Sequence, residues 1–259
     1  MLILLPPSEG KSPAMRGRPL DLATLSFPTL TETRSRVASA LADVSRHDAA
    51  AELLGVSASL TAPLARNTRL LTAPAAAAGR VYSGVLYDAL DLASLDTAAR
   101  RRANRWLVVV SALFGALRMG DRIPAYRLSM AVNLPPLGPL GSLWRPHLGG
   151  PLTEAAGRGA VVDCRSSTYA GAWVPSGPAA GRWVQVRVPG ATHQAKHTRG
   201  LVARHLCETG RDARTPQAVA EVVATRFDIE LATPLRTGGP WVLDVGPHGH
   251  PVPRADDRD

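Results

Sequence analysis

Leu2–Leu5 is an unbroken apolar run that Pro6-Pro7 stops. So short a run, bounded by prolines, predicts a buried strand that runs out into a loop at the carboxyl end of a sheet. Similar runs follow at Leu107–Val110, Ala160–Val162, Trp183–Val188 and Trp241–Val245. Helical patterns separate them. A long one runs from Thr31 through Ser45, with Val37, Leu41 and Val44 at helical spacing, and an Ala/Leu-rich stretch covers 49–71. Leu92–Trp106, 151–156, Thr192–Cys207 and Pro216–Arg226 complete the set. Interleaved strands and helices predict a mixed α/β (α+β) fold, with a central mixed sheet and flanking helices. No repeat, linker or break in composition divides the chain, so residues 1–245 are expected to form one domain. The Pro- and charge-rich segment 246–259 is expected to be a mobile tail. Positions 116–143, rich in Gly and Pro, read as a long ordered loop, a feature often tied to function.

With 45% hydrophobic and 20% charged residues, the chain has the balance of a soluble globular protein. Thirty basic against 21 acidic residues give a net charge of +9, which favours polyanions such as nucleic acid or nucleotides. The apolar start lacks a basic flank and is too short for a signal peptide. No apolar run approaches the roughly 20 residues that span a membrane. Cys164 and Cys207 are far apart and form no C-x-x-C, which fits a reducing cytoplasm with both thiols buried and inert.

Only two of the 30 basic residues are lysines, Lys11 and Lys196. Ala- and Arg-rich usage points to a GC-rich coding bias, under which Lys drifts to Arg. A lysine kept in such a chain is a candidate amine: burial can pull an ammonium pKa down, whereas guanidinium stays protonated. Gly10-Lys11-Ser12 imitates the end of a P-loop, but the position needing the first glycine is Leu5, so nucleotide triphosphatase chemistry is excluded. What remains is a turn of Ser8, Glu9, Gly10 and Lys11 where open α/β sheets place ligands. There Lys11 can hold an anion and Glu9 can serve as acid or base.

Lys196 and Arg199 lie three apart in a helical pattern, one turn from each other. In the helix's N-terminal half they make an anion site, and its dipole would lower the Lys196 pKa toward use as a base or Schiff-base nucleophile. His193 and His197 have the spacing of a zincin pair, but Gln194 replaces the catalytic Glu and no third ligand stands out. No bound metal or cofactor is therefore expected. In the 116–143 segment, Arg118, Asp121, Tyr126 and Arg127 surround Pro124. Either Arg forks onto phosphate while Tyr stacks on a base, or an Arg–Asp pair pins the loop. No G-x-S-x-G elbow is present around Tyr82-Ser83-Gly84.

Five segments, in order, make the chain resemble the YaaA family of peroxide stress proteins, in an actinobacterial-looking version. They are Met1–Lys11, Gly79–Gly84, Ser111–Arg118 continuing to Tyr126–Met130, Asp163–Tyr169, and Ala195–Arg204. The resemblance spans roughly 1–245. It implies a cytoplasmic bacterial protein of compact α/β fold with a positively charged cleft. The enterobacterial member is described as binding DNA through that cleft, with a helix-hairpin-helix-like element, and as limiting peroxide damage. Lys11 falls on the lysine of the N-terminal motif. Lys196 falls on the first lysine of an Ala-Lys-Lys-x-Arg-Gly segment, whose Arg-Gly is Arg199-Gly200. The chain departs from the better-known version at Leu117-Arg118-Met119, at Ser129-Met130-Ala131 and at Thr168, the last two lacking family carboxylates.

Two functions fit these residues. One is a monomeric DNA- or nucleotide-binding stress protein, holding its anion with Ser8, Arg118, Tyr126, Arg127, Ser166, Tyr169, Arg199 and Arg204. The other is an enzyme acting on a nucleotide, nucleoside or nucleobase by glycosidic-bond cleavage or lyase chemistry, with Lys11, Glu9 and Lys196 as its catalytic groups. A metal-sequestering role rests on His193 and His197 alone. The resemblance, which puts Lys11 and Lys196 in two basic motifs, makes one shared site the leading expectation.

Overall fold

A computed structural model describes residues 1–190 and 192–246, without the side chains of Thr192 and His193. The expected tail, beyond Gly246, lies outside the described residues.

The fold is mixed α/β, built on a seven-stranded sheet. Its strands are β1 (Leu2–Leu5), β2 (Leu107–Ser111), β3 (Gly115–Arg118), β4 (Val161–Asp163), β5 (Trp183–Arg187), β6 (Ile229–Ala232) and β7 (Trp241–Val245). They lie in the order β6-β7-β5-β4-β1-β2-β3. The inner five run parallel, and each edge strand is antiparallel to its neighbour. β1 lies between β2 and β4, with Ile3 opposite both Leu107 and Val162. Leu2, Ile3, Leu4 and Leu5 are completely buried, as expected of a parallel strand covered on both faces. From β1 the chain moves to β2 on one side, then returns to β4 on the other. The carboxyl ends of β1 and β4 therefore form a topological switch point, the crevice where open α/β sheets bind ligands.

The helices include α1 (Thr31–Val44), α2 (Val85–Leu90), α3 (Thr97–Trp106), α4 (Leu140–Ala156), α5 (Thr192–Thr209) and α6 (Pro216–Ala224), of which α2 and α5 reach the site. α2, α3 and α6 all pack on α5. Gly200 makes the α2–α5 approach possible: a Cβ there would lie 2.2 Å from the Leu86 carbonyl oxygen. The carboxyl ends of α2 and α5 are tied down. Arg204 of α5 donates to the carbonyls of Leu90 (3.2 Å) and Asp91 (2.8 Å) at the end of α2. Arg102 of α3 donates to those of Cys207 (2.6 Å) and Glu208 (3.0 Å) near the end of α5.

Four sequence expectations change. The helix expected over Leu92–Trp106 begins only at Thr97, because the Asp96 side chain caps it there. The 49–71 stretch is two short helices, Ala50–Leu53 and Thr61–Asn67, because Gly55, at φ 61°, supplies the left-handed residue that ends the first. The 116–143 segment is not all loop. It opens as edge strand β3 and closes as the first turn of α4, which begins eleven residues before the helix expected at 151–156. Pro146 and Pro151 sit inside α4 and hid it in the sequence. What carries the helix past them is a buried face at every fourth residue: Leu140, Trp144, Leu148, Leu152 and Ala156. Finally β6, half-buried at the sheet edge, was not foreseen.

Gly200→Ala is expected to lower stability by about 1–3 kcal/mol, because backbone rather than a flexible side chain must move. Urea denaturation measures this, and an unchanged midpoint would mean that α2 and α5 do not approach so closely.

Candidate functional site

The loop after β1 is laced to the segment before α2. Lys11 bridges to Tyr82, and the Ser12 amide donates to the Val81 carbonyl at 2.8 Å. Ser8 Oγ accepts from the Ser83 amide at 3.1 Å and donates to the Gly10 carbonyl at 2.5 Å. Tyr87 Oη donates to the Pro6 carbonyl at 2.7 Å. Pro6-Pro7 and these bonds turn the chain sharply back, so that the Lys11 side chain points over a tyrosine cluster.

Lys11 Nζ donates to the Ser8 carbonyl at 2.6 Å and sits 4.2 Å from the centre of the Tyr126 ring and 5.5 Å from that of Tyr82. Ring faces are electron-rich and attract a cation there. Below them a hydroxyl chain is closed off from water: Tyr82 Oη lies 2.9 Å from Tyr126 Oη, which lies 2.7 Å from Ser111 Oγ. Tyr82 also stacks on Tyr87 at 5.3 Å. Burial pushes the phenols of Tyr82, Tyr87 and Tyr126 well up, so all three are neutral hydroxyls. Burial, with the positive charge of Arg127 beside it, pulls the Lys11 ammonium from its ordinary 10.5 down to about 7, against a smaller opposing pull from Glu9.

The second wall comes from the loop after β4. Arg165 and Asp163 form a completely buried bidentate pair, with Nε–Oδ1 2.8 Å and Nη2–Oδ2 2.7 Å. The same guanidinium donates to the carbonyls of Tyr169 (3.2 Å) and Trp173 (2.9 Å), and Trp183 Nε1 donates to Asp163 Oδ2 at 3.1 Å. A buried charge needs both a partner and saturated hydrogen bonds, and here it has them. The pair thereby holds Ser166, Thr168 and Tyr169 at the edge of the crevice. Burial raises the Tyr169 phenol as well.

Arg127 is positioned by its backbone. Asn67, completely buried, accepts from the Arg127 amide at 2.8 Å and donates to its carbonyl at 2.9 Å. The guanidinium then meets the exposed Glu9 carboxylate at 3.2 Å. Across from it, α5 presents Lys196, exposed, and Arg199, whose Nε donates to the Val186 carbonyl at 3.2 Å.

These walls enclose a cleft of about 530 Å³. Of the residues singled out in the sequence, Ser8, Glu9, Lys11, Arg127, Ser166, Tyr169, Lys196 and Arg199 line it together. The two lysines, 185 positions apart in sequence, thus share one cleft. Tyr126 belongs to its floor: only 3% exposed, it supports Lys11 and offers no face for a base to stack on.

Two residues lie elsewhere. Arg204, besides capping α2, pairs with Glu208 (2.7 Å) and Asp91 (3.5 Å). Arg118 donates to the Arg105 carbonyl and lies 5.3 Å over the Phe27 ring. The carboxylate near it, Asp121, takes the Arg118 amide (2.8 Å) and the Ser26 amide and hydroxyl (2.9 and 2.8 Å), so the loop is pinned by backbone bonds.

Cleft residues that no sequence signal marked are Leu54–Val56, from the break between two helices, and Val85–Tyr87. Nothing in the sequence marked Asn67. Both cysteines are free and buried, and burial pushes each thiol up to about 12. His193's side chain lies outside the described residues, while His197 is exposed. Among the described residues no three His, Cys, Asp or Glu side chains are grouped to hold a metal, and no helix is long and apolar enough to cross a membrane.

Comparison with known proteins bears on the same motifs. The profile of the family described as peroxide stress protein YaaA matches residues 1–231. A UPF0246 protein of Streptomyces coelicolor is 49% identical over 257 residues, covering 96% of this chain and 99% of its own. Another, from Corynebacterium efficiens, is 41% identical over 228 residues, covering 86% and 91%.

Lys11→Met tests the electrostatics of the floor. Below about pH 7 both folded and unfolded chains carry the ammonium, and folding must bury it. Between 7 and 10.5 the unfolded chain holds more protons, so wild-type stability rises with pH. The Met variant lacks this titration. Relative to wild type it is expected to lose an advantage on the order of a few kcal/mol as pH rises through that window. Chemical denaturation at several pH values measures the gap, and a constant gap would contradict the account.

Proposed function

Since the chain belongs to the YaaA (UPF0246) family of peroxide stress proteins, we propose that its cleft binds DNA, or a nucleotide-like polyanion, as part of a peroxide stress response. The observation that carries this function is the charge of the lining. Lys11, Arg127, Lys196 and Arg199 face one carboxylate, Glu9, at the carboxyl ends of β1 and β4. Phosphate is the common group that such a set of donors holds. Arg127 can exchange its exposed partner Glu9 for a phosphate with little penalty, because surface ion pairs contribute little. Residues 1–245 act as one domain in this picture, and the protein is a cytoplasmic monomer whose two buried thiols stay reduced.

A second function is favoured by a specific observation. A charge alone does not need the Lys11 environment: burial against the Tyr82 and Tyr126 rings lowers the ammonium and so weakens its hold on a phosphate near pH 7. That environment suits an enzyme acting on a nucleotide, nucleoside or nucleobase, with Lys11 as nucleophile or base and Glu9 close by.

Duplex DNA binding measured by fluorescence anisotropy across a salt series tests the first function. Up to four phosphate contacts predict a log–log slope down to about −3.6, and Lys196→Ala or Arg199→Ala should each weaken binding and flatten the slope by about 1. Binding that is absent, or unchanged from low to moderate salt, would overturn it.

A further inference from the structure

We propose that Lys11 is a nucleophilic amine that condenses with the aldehyde of a phosphorylated sugar, forming an imine at the floor of the cleft. The proposal rests on the phosphate-binding function for its substrate class, and on the geometry around Lys11 for its chemistry.

The two lysines divide the work. Lys196 is exposed on α5, one turn from Arg199, in a place suited to a charge. Lys11 is held from three sides: by the Ser8 carbonyl at 2.6 Å and by the Tyr126 and Tyr82 rings at 4.2 and 5.5 Å. Its charged and titratable neighbours are Arg127 and Glu9 at the mouth and the Tyr82 and Tyr126 phenols beneath. The phenols are neutral and bonded to each other, so among the described residues the counter-charge is Glu9, and it is itself paired with Arg127. Water is kept from the amine on the floor side by the buried rings. An amine so placed spends much of its time unprotonated at neutral pH and still opens onto the cleft.

A carbonyl is the electrophile an unprotonated lysine attacks reversibly without any co-reactant. Nζ forms a bond to the carbonyl carbon, and the carbonyl oxygen leaves as water with the two protons of the amine. One C=N bond and one water replace one C=O bond and two N–H bonds, with no change of oxidation state. The cations facing Lys11 specify the other end of the substrate. Arg127, Lys196 and Arg199 suit a phosphate, so the aldehyde is one carried on a phosphorylated sugar. Two sources share that chemistry: a free sugar phosphate in its open form, and the deoxyribose left in DNA when a base has been lost.

Reductive trapping tests this. The purified full chain is incubated with cyanoborohydride and one of three probes: ribose 5-phosphate, ribose, or a duplex oligonucleotide bearing an abasic site. Intact-mass and peptide analysis then find the adduct. The amines available are few: Lys11, Lys196 and the Met1 α-amine, which is paired with Asp212 at 2.5 Å. The expected result is one adduct, on Lys11, from at least one phosphorylated probe and formed at least tenfold faster than with ribose. It should be lost in Lys11→Arg and Lys11→Met, and peptide analysis should find none on Lys196. Which phosphorylated probe reacts identifies the source. No adduct from either, or one that persists in both Lys11 variants, would overturn the proposal. Anisotropy on Lys11→Arg separates the two claims: DNA binding kept with trapping lost leaves phosphate binding intact. Trapping on Lys11 that is indifferent to the phosphate, in a protein that does not bind DNA, refutes the substrate class and the DNA function together.

Discussion

Everything at the site hangs on β1 being the middle strand of a parallel sheet. Four completely buried apolar residues fix its register against β2 and β4 at once. The chain must then leave the sheet at the switch point, and Pro6-Pro7 prevents it from continuing as strand. Lys11 is delivered six residues later to a place where it faces the loop after β4, the start of α2 and the N-terminal part of α5. A shift of β1 by one residue would reverse its faces and misplace that turn.

The rest of the site is arranged by buried polar bonds rather than by apolar packing. The Asp163–Arg165 pair shapes the loop that carries Ser166 and Tyr169. Asn67 clamps the backbone of Arg127. The Tyr82–Tyr126–Ser111 hydroxyls satisfy one another under Lys11. Such groups stay buried only when every partner is in place, so the elements bearing them cannot drift independently. The cleft is closed by buried rings beneath Lys11 and open at Glu9, Thr168 and Lys196, which are exposed.

The strands at Leu2–Leu5, Leu107–Ser111, Trp183–Arg187 and Trp241–Val245 were legible because short apolar runs stood between turn residues. Only the 151–156 end of α4 was, because Pro146 and Pro151 outweigh its buried face in a reading of local pattern. β6 was not, because its residues are half-buried and show no alternation. At the site, the scarcity of lysine pointed to both Lys11 and Lys196, and the cleft brings them together. Sequence could not separate their environments. The aromatic floor under Lys11 comes from Tyr82 and Tyr126, remote in the chain, while the expected dipole effect on Lys196 came from local spacing alone. Arg118 and Arg204, also drawn from motifs, lie outside the cleft and bond carbonyls.

The central claim is that Lys11 is an amine where an arginine would not serve. Competitive acylation of the full chain over a pH series, read peptide by peptide, gives the ionisation of each lysine directly. The account predicts that Lys11 reacts with a midpoint near 7. A midpoint near the ordinary lysine value of about 10.4 would contradict it and reduce Lys11 to one more positive charge in the cleft.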